Sequence, residues 1–326
     1  MNTGTLLVTG AMGHVGLEVV RMAAQRGIAV VAQYRRAFRA DDPAADAGGV
    51  AWVRSALATA DDVAALVSGR GINACIHCAA ISNEAYAQPD PLATVAANVG
   101  ATAALLDAAR TQGWRRFILA STGSVFQLRS DVVRPIPEDA APQPGGVYGT
   151  TKLAAEMLVA MYRRVYALPA ASVRISWVFG PPVATMSPTR GPIPSMLVRA
   201  LRGEAIREGG ADFAASFTFV ADVAEGLLAA AQAAELRHDV YHLGHGVNFG
   251  MADVAAAVRA AVPGAAIEIG PGTDPWTRFT ALRGPLAGVR LLQDTGFAPH
   301  RSLAEGVAAY ADWLRRTGAY RDAASN

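Results

Sequence analysis

Lysine is almost missing from this chain of 326 residues. Lysine and arginine together number 29, and Lys152 is the only lysine among them. Arginine carries a planar fork that stays charged, whereas lysine carries a compact ammonium that can bind a ribose and lower the pKa of a neighbouring phenol. Lys152 ends the segment Tyr-Gly-Thr-Thr-Lys, which begins at Tyr148. The two are either a proton-transfer pair or chance neighbours on one helix face, and their context has to distinguish these alternatives.

Cysteine is nearly as scarce, since the chain has only Cys75 and Cys78. Both lie in one apolar run with a buried-strand pattern, in which residues three apart point to opposite faces. We therefore predict buried cysteines rather than a redox pair or a zinc site. His238, His242 and His245 have a metal-like spacing, but no cysteine accompanies them, and we predict no metal site.

Net charge and long apolar runs are also limited. A net charge of +2, with 17% charged and 52% hydrophobic residues, indicates a compact globule and argues against a nucleic-acid partner. The start of the chain has no basic segment, and no apolar run reaches the ~18 residues of a membrane span. We therefore expect no membrane partner and a cytoplasmic location.

Strand-like runs alternate with helical stretches through the first half of the chain, beginning with Leu6–Thr9 and Val15–Arg26. This alternation predicts an α/β fold, a Rossmann doubly wound parallel sheet with helices on both faces. The pattern breaks at a proline-rich stretch that begins at Gly180. We predict a dinucleotide-binding Rossmann domain over residues 1–180. Residues 181–326 are predicted to form a smaller, mainly substrate-binding C-terminal lobe, partly interleaved with that domain.

A glycine-rich turn directly follows the first strand, with the spacing G-x-x-G-x-x-G. Gly10 permits the tight turn, Gly13 lets the backbone approach a pyrophosphate, and Gly16 lets the following helix pack closely. The phosphates then lie at the helix N-terminus, where amide donors converge. The predicted cofactor contacts in this turn are Gly10, Met12, Gly13, His14, Val15 and Gly16.

The second strand ends near Tyr34, where an NAD site commonly carries a carboxylate for the ribose hydroxyls. No carboxylate stands there, and Arg35 and Arg36 follow, so a 2′-phosphate would meet two cations. We therefore predict NADP as the cofactor, with Tyr34, Arg35 and Arg36 among its contacts. In the alternative, these arginines are solvated and NAD is held by other groups.

Further motifs follow the glycine-rich turn along the chain. They are His77-Cys78-Ala79-Ala80, Asn98-Val99-Gly100, the strand 116–126 with Thr122, the Tyr148/Lys152 pair, and Val173–Pro181. Together they resemble the extended short-chain dehydrogenase/reductases of the NAD-dependent epimerase/dehydratase superfamily, from Thr9 to Trp313. The resemblance implies further cofactor contacts at Ala79, Ala80, Asn98, Tyr148, Lys152 and Val178.

The resemblance also implies a catalytic trio of Thr122, Tyr148 and Lys152. Tyr148 acts as general acid/base on a substrate oxygen, Thr122 hydrogen-bonds that oxygen, and Lys152 holds the nicotinamide ribose and favours the phenolate. We expect an NAD(P)-dependent oxidoreductase that transfers hydride between nicotinamide and a small carbonyl or alcohol, such as a sugar or sugar acid. A sugar epimerase that retains its cofactor is the alternative. A cofactor-sensing regulator is disfavoured by the intact Tyr/Lys pair.

Three positions depart from the family pattern, one at the cofactor and two at the substrate. Ala56 stands where an acidic residue commonly binds adenine, so the sequence does not show how adenine is recognised. Gly123-Ser124 stands where dehydratases carry an Asp-Glu pair. Ala214-Ala215 lies where nucleotide-sugar epimerases often carry an arginine for the diphosphate. We therefore expect a small substrate without a diphosphate. Its predicted contacts, from loops at the carboxyl edge of the sheet, are Ser82, Ser124, Phe126, Trp177 and Arg190.

A homodimer is the last expectation. Members of the family often associate through two helices, which correspond here to residues 98–110 and 152–165. The second helix has more apolar surface than one buried stripe needs, from Leu153, Met157, Leu158 and Met161. We therefore predict that these helices pair with their symmetry mates.

Overall fold

Seven parallel strands form the main sheet of the protein, which is seen in a computed structural model that describes residues 4–36 and 48–324. They are β1 (Thr5–Thr9), β2 (Val30–Tyr34), β3 (Val50–Arg54), β4 (Ile72–His77), β5 (Arg116–Thr122), β6 (Ala170–Ile175) and β11 (Val240–Leu243). Their order is β11-β6-β5-β4-β1-β2-β3, and every neighbouring pair is parallel. The predicted doubly wound α/β sheet is confirmed.

Helices cover both faces of this sheet, because parallel strands need crossover connections. The helices of the described residues are α1 (His14–Gln25), α2 (Ala60–Val67), α3 (Glu84–Ala87), α4 (Pro91–Val95), α5 (Ala101–Thr111), α6 (Val147–Tyr166), α7 (Pro192–Leu201), α8 (Val220–Gln232), α9 (Met251–Ala261), α10 (Val289–Thr295) and α11 (Leu303–Thr317). On β1, Leu7 packs in the core shared with α2, α5 and α6, whereas Val8 packs in the core shared with α1 and α8. The sheet is therefore buried on both faces, as its apolar strands require.

Two segments of the later half of the chain return to the sheet. Helix α8 packs beside α1 on one face. Strand β11 extends the sheet at the edge next to β6, with Tyr241 opposite Val173. The chain therefore crosses back after the proline-rich stretch, so that the later half contributes to both parts of the molecule.

A second hydrophobic core lies among α7, α9 and α11, where Met196, Leu197, Val254, Tyr310 and Leu314 are fully buried. The short strands that border it are β7 (Val178–Phe179), β8 (Ile206–Glu208), β9 (Ala214–Ala215), β10 (Thr218–Phe219), β12 (Phe249–Gly250) and β13 (Ile267–Ile269). They form three two-stranded pairs, β7 with β10, β8 with β13 and β9 with β12.

One continuous helical stretch runs from Pro91 to Thr111 and includes a π-helical turn at Ala96–Gly100, between α4 and α5. Its 21 residues and mean hydropathy of 1.4 would suffice to cross a membrane by length and composition. The core helix of a globular domain passes the same test, and here Leu105 and Leu106 are fully buried in the core beneath the sheet.

Candidate functional site

A cavity of about 570 Å³ opens at the carboxyl ends of β1, β4 and β5. Strand β1 lies between β2 and β4, so the strand order reverses at this point. Ligands of open parallel sheets bind at such a reversal. One side of the cavity carries residues from the ends of the strands, such as Gly10 and Thr122. The other side carries Arg190, Trp276 and Arg283 from the later half of the chain.

The glycine-rich turn forms one end of this cavity. Gly10 has a left-handed backbone with φ of 63°, and a Cβ there would lie 2.7 Å from the backbone of Ala79. A Cβ on Gly16 would lie 2.3 Å from the Gly10 carbonyl oxygen, so α1 approaches the turn only with glycine at that position. The first amides of α1 have no intrahelical acceptor and suit a phosphate. All six residues predicted in this turn line the cavity.

His14 is the first residue of α1 and carries no positive charge at neutral pH. Burial lowers the pKa of its imidazole to about 3, and the nearby charge of Arg190 acts in the same direction. Its Nε2 atom is buried and, among the described residues, has no hydrogen-bond partner. The electropositive character of this end of the cavity therefore comes from backbone amides rather than from an imidazolium.

The end of β2 forms the far side of the turn. Tyr34, Arg35 and Arg36 line the cavity there, and both arginines are exposed. The Gln33 side chain fixes this edge, because it accepts from the Gly10 amide at 2.9 Å and donates to the Ser55 carbonyl at 2.6 Å. The three residues predicted to meet the adenosine ribose are thus placed beside the glycine-rich turn.

Thr122 and Tyr148 meet at the opposite end of the cavity. Thr122 is the last residue of β5, Tyr148 is the second residue of α6, and both line the cavity. Burial raises the pKa of the Tyr148 phenol, whereas the Thr122 hydroxyl and the charges of Arg190 and Arg283 oppose that rise. The sequence predicted Lys152 as the group that favours the phenolate. Arg190 and Arg283, which it did not predict in this role, act in the same direction.

Lys152 follows Tyr148 by one turn on the same face of α6 and is 2% exposed. Burial lowers the pKa of its ammonium to about 8, while Glu156 and Cys78 act in the opposite direction. Lys152 does not itself line the cavity. Cys78 does line it, and burial raises the pKa of that thiol to about 12, so it is protonated at neutral pH.

Asn98 lies within the π-helical turn and is 1% exposed. Its side chain accepts from the Ile81 amide at 2.8 Å and donates to the Ile81 carbonyl at 3.2 Å and to the Thr151 hydroxyl at 3.0 Å. It therefore braces the segment after β4 against α6 and does not line the cavity. Ala79, Ala80 and Val178 do line it.

Four of the five predicted substrate contacts reach the cavity, namely Ser82, Ser124, Trp177 and Arg190. Phe126 does not, because the 3₁₀ turn after Thr122 directs it into the core, under the Arg174 guanidinium at 4.9 Å. Trp177 has a positive φ of 41° and packs edge-on against Phe213 at 5.4 Å. Strain of this kind is concentrated at ligand-binding sites.

Arg283 is the residue that sequence reasoning missed most clearly. It lines the cavity although it is only 8% exposed, and burial lowers its pKa to about 10. It donates to the Thr280 hydroxyl at 3.1 Å and the Ser176 hydroxyl at 3.2 Å. No carboxylate pairs with it within the described ranges. Its segment, Leu282-Arg283-Gly284, carries no motif that would have identified it.

The histidines with metal-like spacing do not converge. His242 is buried against Arg174, and neither it, His238 nor His245 belongs to the one metal-type cluster found in residues 4–36 and 48–324. That cluster is formed by Asp222, Glu225 and His300. The Arg301 guanidinium pairs with its buried member, Asp222.

The glycine-rich turn lies at one end of the cavity and the Thr122 and Tyr148 side chains lie at the other, an arrangement typical of a nicotinamide-dinucleotide site of the short-chain type. Residues 6–244 match the model of the NAD dependent epimerase/dehydratase family. The chain therefore belongs to this family, and it is an enzyme of the extended short-chain dehydrogenase/reductase class, as the sequence predicted.

Individual relatives agree with this assignment. The chain is 31% identical to a UDP-glucose 4-epimerase of Streptomyces lividans over 79% of this chain and 80% of that protein. It is 29% identical to an Arabidopsis thaliana trifunctional UDP-glucose 4,6-dehydratase, epimerase and reductase, over 73% of this chain but only 36% of that protein. Its fold matches that of MoeE5 in complex with UDP-glucose and NAD, with 27% identity, a TM-score of 0.79 and coverage of 96% and 99% of the two chains.

Proposed function

We propose that this enzyme transfers hydride between a nicotinamide dinucleotide and a hydroxyl-bearing carbon of a small sugar or sugar acid. The observation that carries the proposal is that Tyr148 and Thr122 line the same cavity as the glycine-rich turn. The glycine-rich turn at the other end fits a pyrophosphate, because it presents backbone amides without side chains. The nicotinamide supplies the hydride acceptor in oxidation and the hydride donor in reduction.

In this mechanism Tyr148 moves the proton and Thr122 orients the substrate oxygen. During oxidation, the substrate hydroxyl gives its proton to the Tyr148 oxygen as the hydride leaves the carbon. Thr122 hydrogen-bonds the substrate oxygen, and Lys152, one turn after Tyr148 on α6, would hold the nicotinamide ribose when the cofactor is bound. Arg190 and Arg283 stabilise the negative charge on the Tyr148 oxygen, consistent with their effect on its pKa.

Two cations beside Tyr148 favour an acidic substrate. Arg190 and Arg283 line the cavity, and neither forms an ion pair with a carboxylate in the part of the chain that the structure describes. Arg190 instead lies over the ring of Tyr86 at 5.5 Å, which leaves its charge uncompensated. A substrate carboxylate close to the reacting carbon would satisfy both guanidinium groups.

NADP is the proposed cofactor, with NAD as the alternative. Arg35 and Arg36 line the cavity beside the glycine-rich turn, and two guanidinium groups there support the binding of a 2′-phosphate. The alternative has support as well, because the similar protein MoeE5 carries NAD.

Sugar-nucleotide epimerisation with a retained cofactor is the second candidate. The similarity to UDP-glucose 4-epimerase favours it. Arg283 favours it as well, because this buried cation lines a cavity that lacks the arginine expected at Ala214-Ala215 for the diphosphate.

The test is to incubate the enzyme with NADP⁺ or NAD⁺ and glucuronate, galacturonate, glucose, galactose or UDP-glucose. Net reduced cofactor at 340 nm supports the first candidate. Formation of UDP-galactose without it supports the second and contradicts the first.

A homodimer, a cytoplasmic location and the division at residue 180 are part of the same proposal. On α6, Met157 is 66% exposed and Val165 is 57% exposed. A dimer that covers these two apolar side chains would remove them from water. Light scattering at micromolar concentration tests the dimer, and a monomer would contradict it.

A further inference from the structure

The catalytic helix α6 begins without a cap from its own neighbourhood. Its N-cap residue is Gly146, which has no side chain to accept from the first amides. Those amides are satisfied by a distant residue. Glu84 Oε1 accepts from the Val147 amide at 2.7 Å, and Glu84 Oε2 accepts from the Tyr148 amide at 3.0 Å. One carboxylate therefore holds two consecutive residues of the first turn, and the second of them is Tyr148.

The backbone on both sides is adapted to this contact. A Cβ on Gly146 would lie 2.4 Å from the carboxyl carbon of Glu84, so only glycine admits the carboxylate. Asn83, directly before Glu84, has φ of 63° and ψ of 162°, a region occupied almost only by glycine. The Asn83 side chain accepts from the Tyr86 amide at 3.2 Å, which fixes this strained conformation. The loop thus holds Glu84 against α6.

The same loop forms part of the cavity wall. Ser82, Asn83 and Glu84 line the cavity, and the Tyr86 ring contacts Arg190 on the opposite side. Glu84 therefore connects the wall that faces the substrate with the helix that carries Tyr148. A carboxylate is also the favourable group at this position, because a helix N-terminus is electropositive.

We propose that Glu84 is a positioning residue for Tyr148: its carboxylate fixes the first turn of α6, so that the Tyr148 phenol stays aligned with Thr122 when substrate fills the cavity. This inference rests on the proposed function. Misplacement of a reacting group by about 1 Å lowers the rate by about 100-fold without removing the binding site. The effect of losing Glu84 is therefore expected in kcat rather than in cofactor affinity.

Two variants disrupt, in different ways, the contact of Glu84 with the Val147 and Tyr148 amides, which we call the clamp. In Glu84→Gln one of the two acceptor oxygens becomes an NH₂ donor, so either the Val147 or the Tyr148 amide loses the atom that now accepts from it. In Gly146→Ala the added methyl group displaces the Glu84 carboxylate. Glu305→Gln is the matched control, because the Glu305 carboxylate accepts from the Ser302 amide at 2.8 Å at the start of α11, on the exposed surface.

The measurements are kcat on the panel compound that the unmodified enzyme converts, the KM for the cofactor, the thermal midpoint, and amide hydrogen exchange at Val147 and Tyr148 without ligand. We expect Glu84→Gln and Gly146→Ala to lose about tenfold or more in kcat, with cofactor KM within about twofold. Exchange at the two amides should accelerate in both variants. Glu305→Gln should show wild-type kcat and wild-type exchange at those amides.

Two results would overturn the proposal. One is wild-type kcat in either clamp variant when its Val147 and Tyr148 amides exchange faster. The other is a kcat loss in Glu305→Gln equal to that of the clamp variants, which would show general destabilisation. Failure of the proposed function would look different, since Tyr148→Phe would then retain full activity whatever the exchange data show.

Discussion

The two ends of the cavity are built in opposite ways. At the reacting end, Lys152 and Arg283 are buried, and the pKa of each is lowered, to about 8 and about 10. At the ribose end, Arg35 and Arg36 are exposed. Buried charges interact through a medium of low effective dielectric constant, whereas exposed ones are screened. We therefore expect substitutions at the reacting end to have large effects that do not depend on salt. Substitutions at the ribose end should have modest effects that weaken as salt rises.

The largest effect is expected from Tyr148→Phe. Because this change removes the proton-transfer group and leaves the glycine-rich turn intact, kcat should fall by about 100-fold or more while cofactor binding survives. Tyr162→Phe, farther along α6, is the control and should be fully active. Initial rates and a cofactor titration measure both quantities. Retention of more than about a tenth of the activity in Tyr148→Phe would contradict the assignment.

Lys152→Arg should be nearly as damaging, although it conserves the charge. The site encloses an ammonium that is 2% exposed, and a planar guanidinium is larger and points its donors differently. We expect kcat to fall by about tenfold or more with the protein still folded, as checked by thermal unfolding. A fully active variant would mean that the single lysine of the chain has no special role.

Arg283→Met tests the buried cation at the same end. Removing it should raise the KM for an acidic sugar by about ten- to a hundredfold, because a charge-assisted hydrogen bond contributes about 1.5–3 kcal/mol. The KM for a neutral sugar should change little. Arg278→Met, an exposed arginine of the same loop, is the matched control. Equal KM changes for acidic and neutral sugars would refute the role of Arg283 in charge recognition.

A smaller effect is expected at the ribose end. The double variant Arg35→Ala/Arg36→Ala should lose a preference for NADP over NAD of about tenfold, the lower limit for charge-assisted contacts at an exposed site. The loss should shrink as salt rises. Arg315→Ala/Arg316→Ala, an exposed pair at the end of α11, controls for net charge. A better kcat/KM with NAD than with NADP in the unmodified enzyme would rule out this contact.

The smallest effect is a pH dependence. The Lys152 cation is required and its pKa is about 8, so activity should be present below that pH and decline as pH rises through it. At a pH equal to the pKa, about half of the activity should remain. The residual activity of Lys152→Arg should lack this decline, because a guanidinium stays charged. A flat profile from pH 7 to about 9 in the unmodified enzyme would show that the charge of Lys152 is not needed.

The parts of the site that the sequence predicted are those carried by short, continuous segments. The turn from Gly10 to Gly16 and the spacing of Tyr148 and Lys152 encode their own local structure: the turn lines the cavity, and Lys152 follows Tyr148 by one turn on α6. Phe126 shows the limit of this reasoning, because nearness to Thr122 in sequence did not place its side chain in the cavity.

The contacts that sequence reasoning missed join residues that lie far apart in the sequence. Arg283 reaches the cavity from a loop 107 residues beyond its partner Ser176, and Glu84 holds α6 from 63 residues away. Neither contact leaves a periodic or motif-like signal, because each depends on how separate elements pack. The strained backbone at Asn83 was also invisible, since φ is a property of the folded chain.

The π-helical turn at Ala96–Gly100 has a consequence for insertions and deletions. A wide turn of this kind holds one residue more than a regular α-helical turn. The widened turn takes up the extra residue locally, so deleting one residue here would restore a regular helix and leave α4 and α5 in nearly the same relative rotation. The direction of the Asn98 side chain, which lies inside the turn, would change instead, and its hydrogen bonds to Ile81 and Thr151 would be lost. The two helices can therefore accept a change of length at this position, whereas the contacts of Asn98 with the segment after β4 and with α6 cannot.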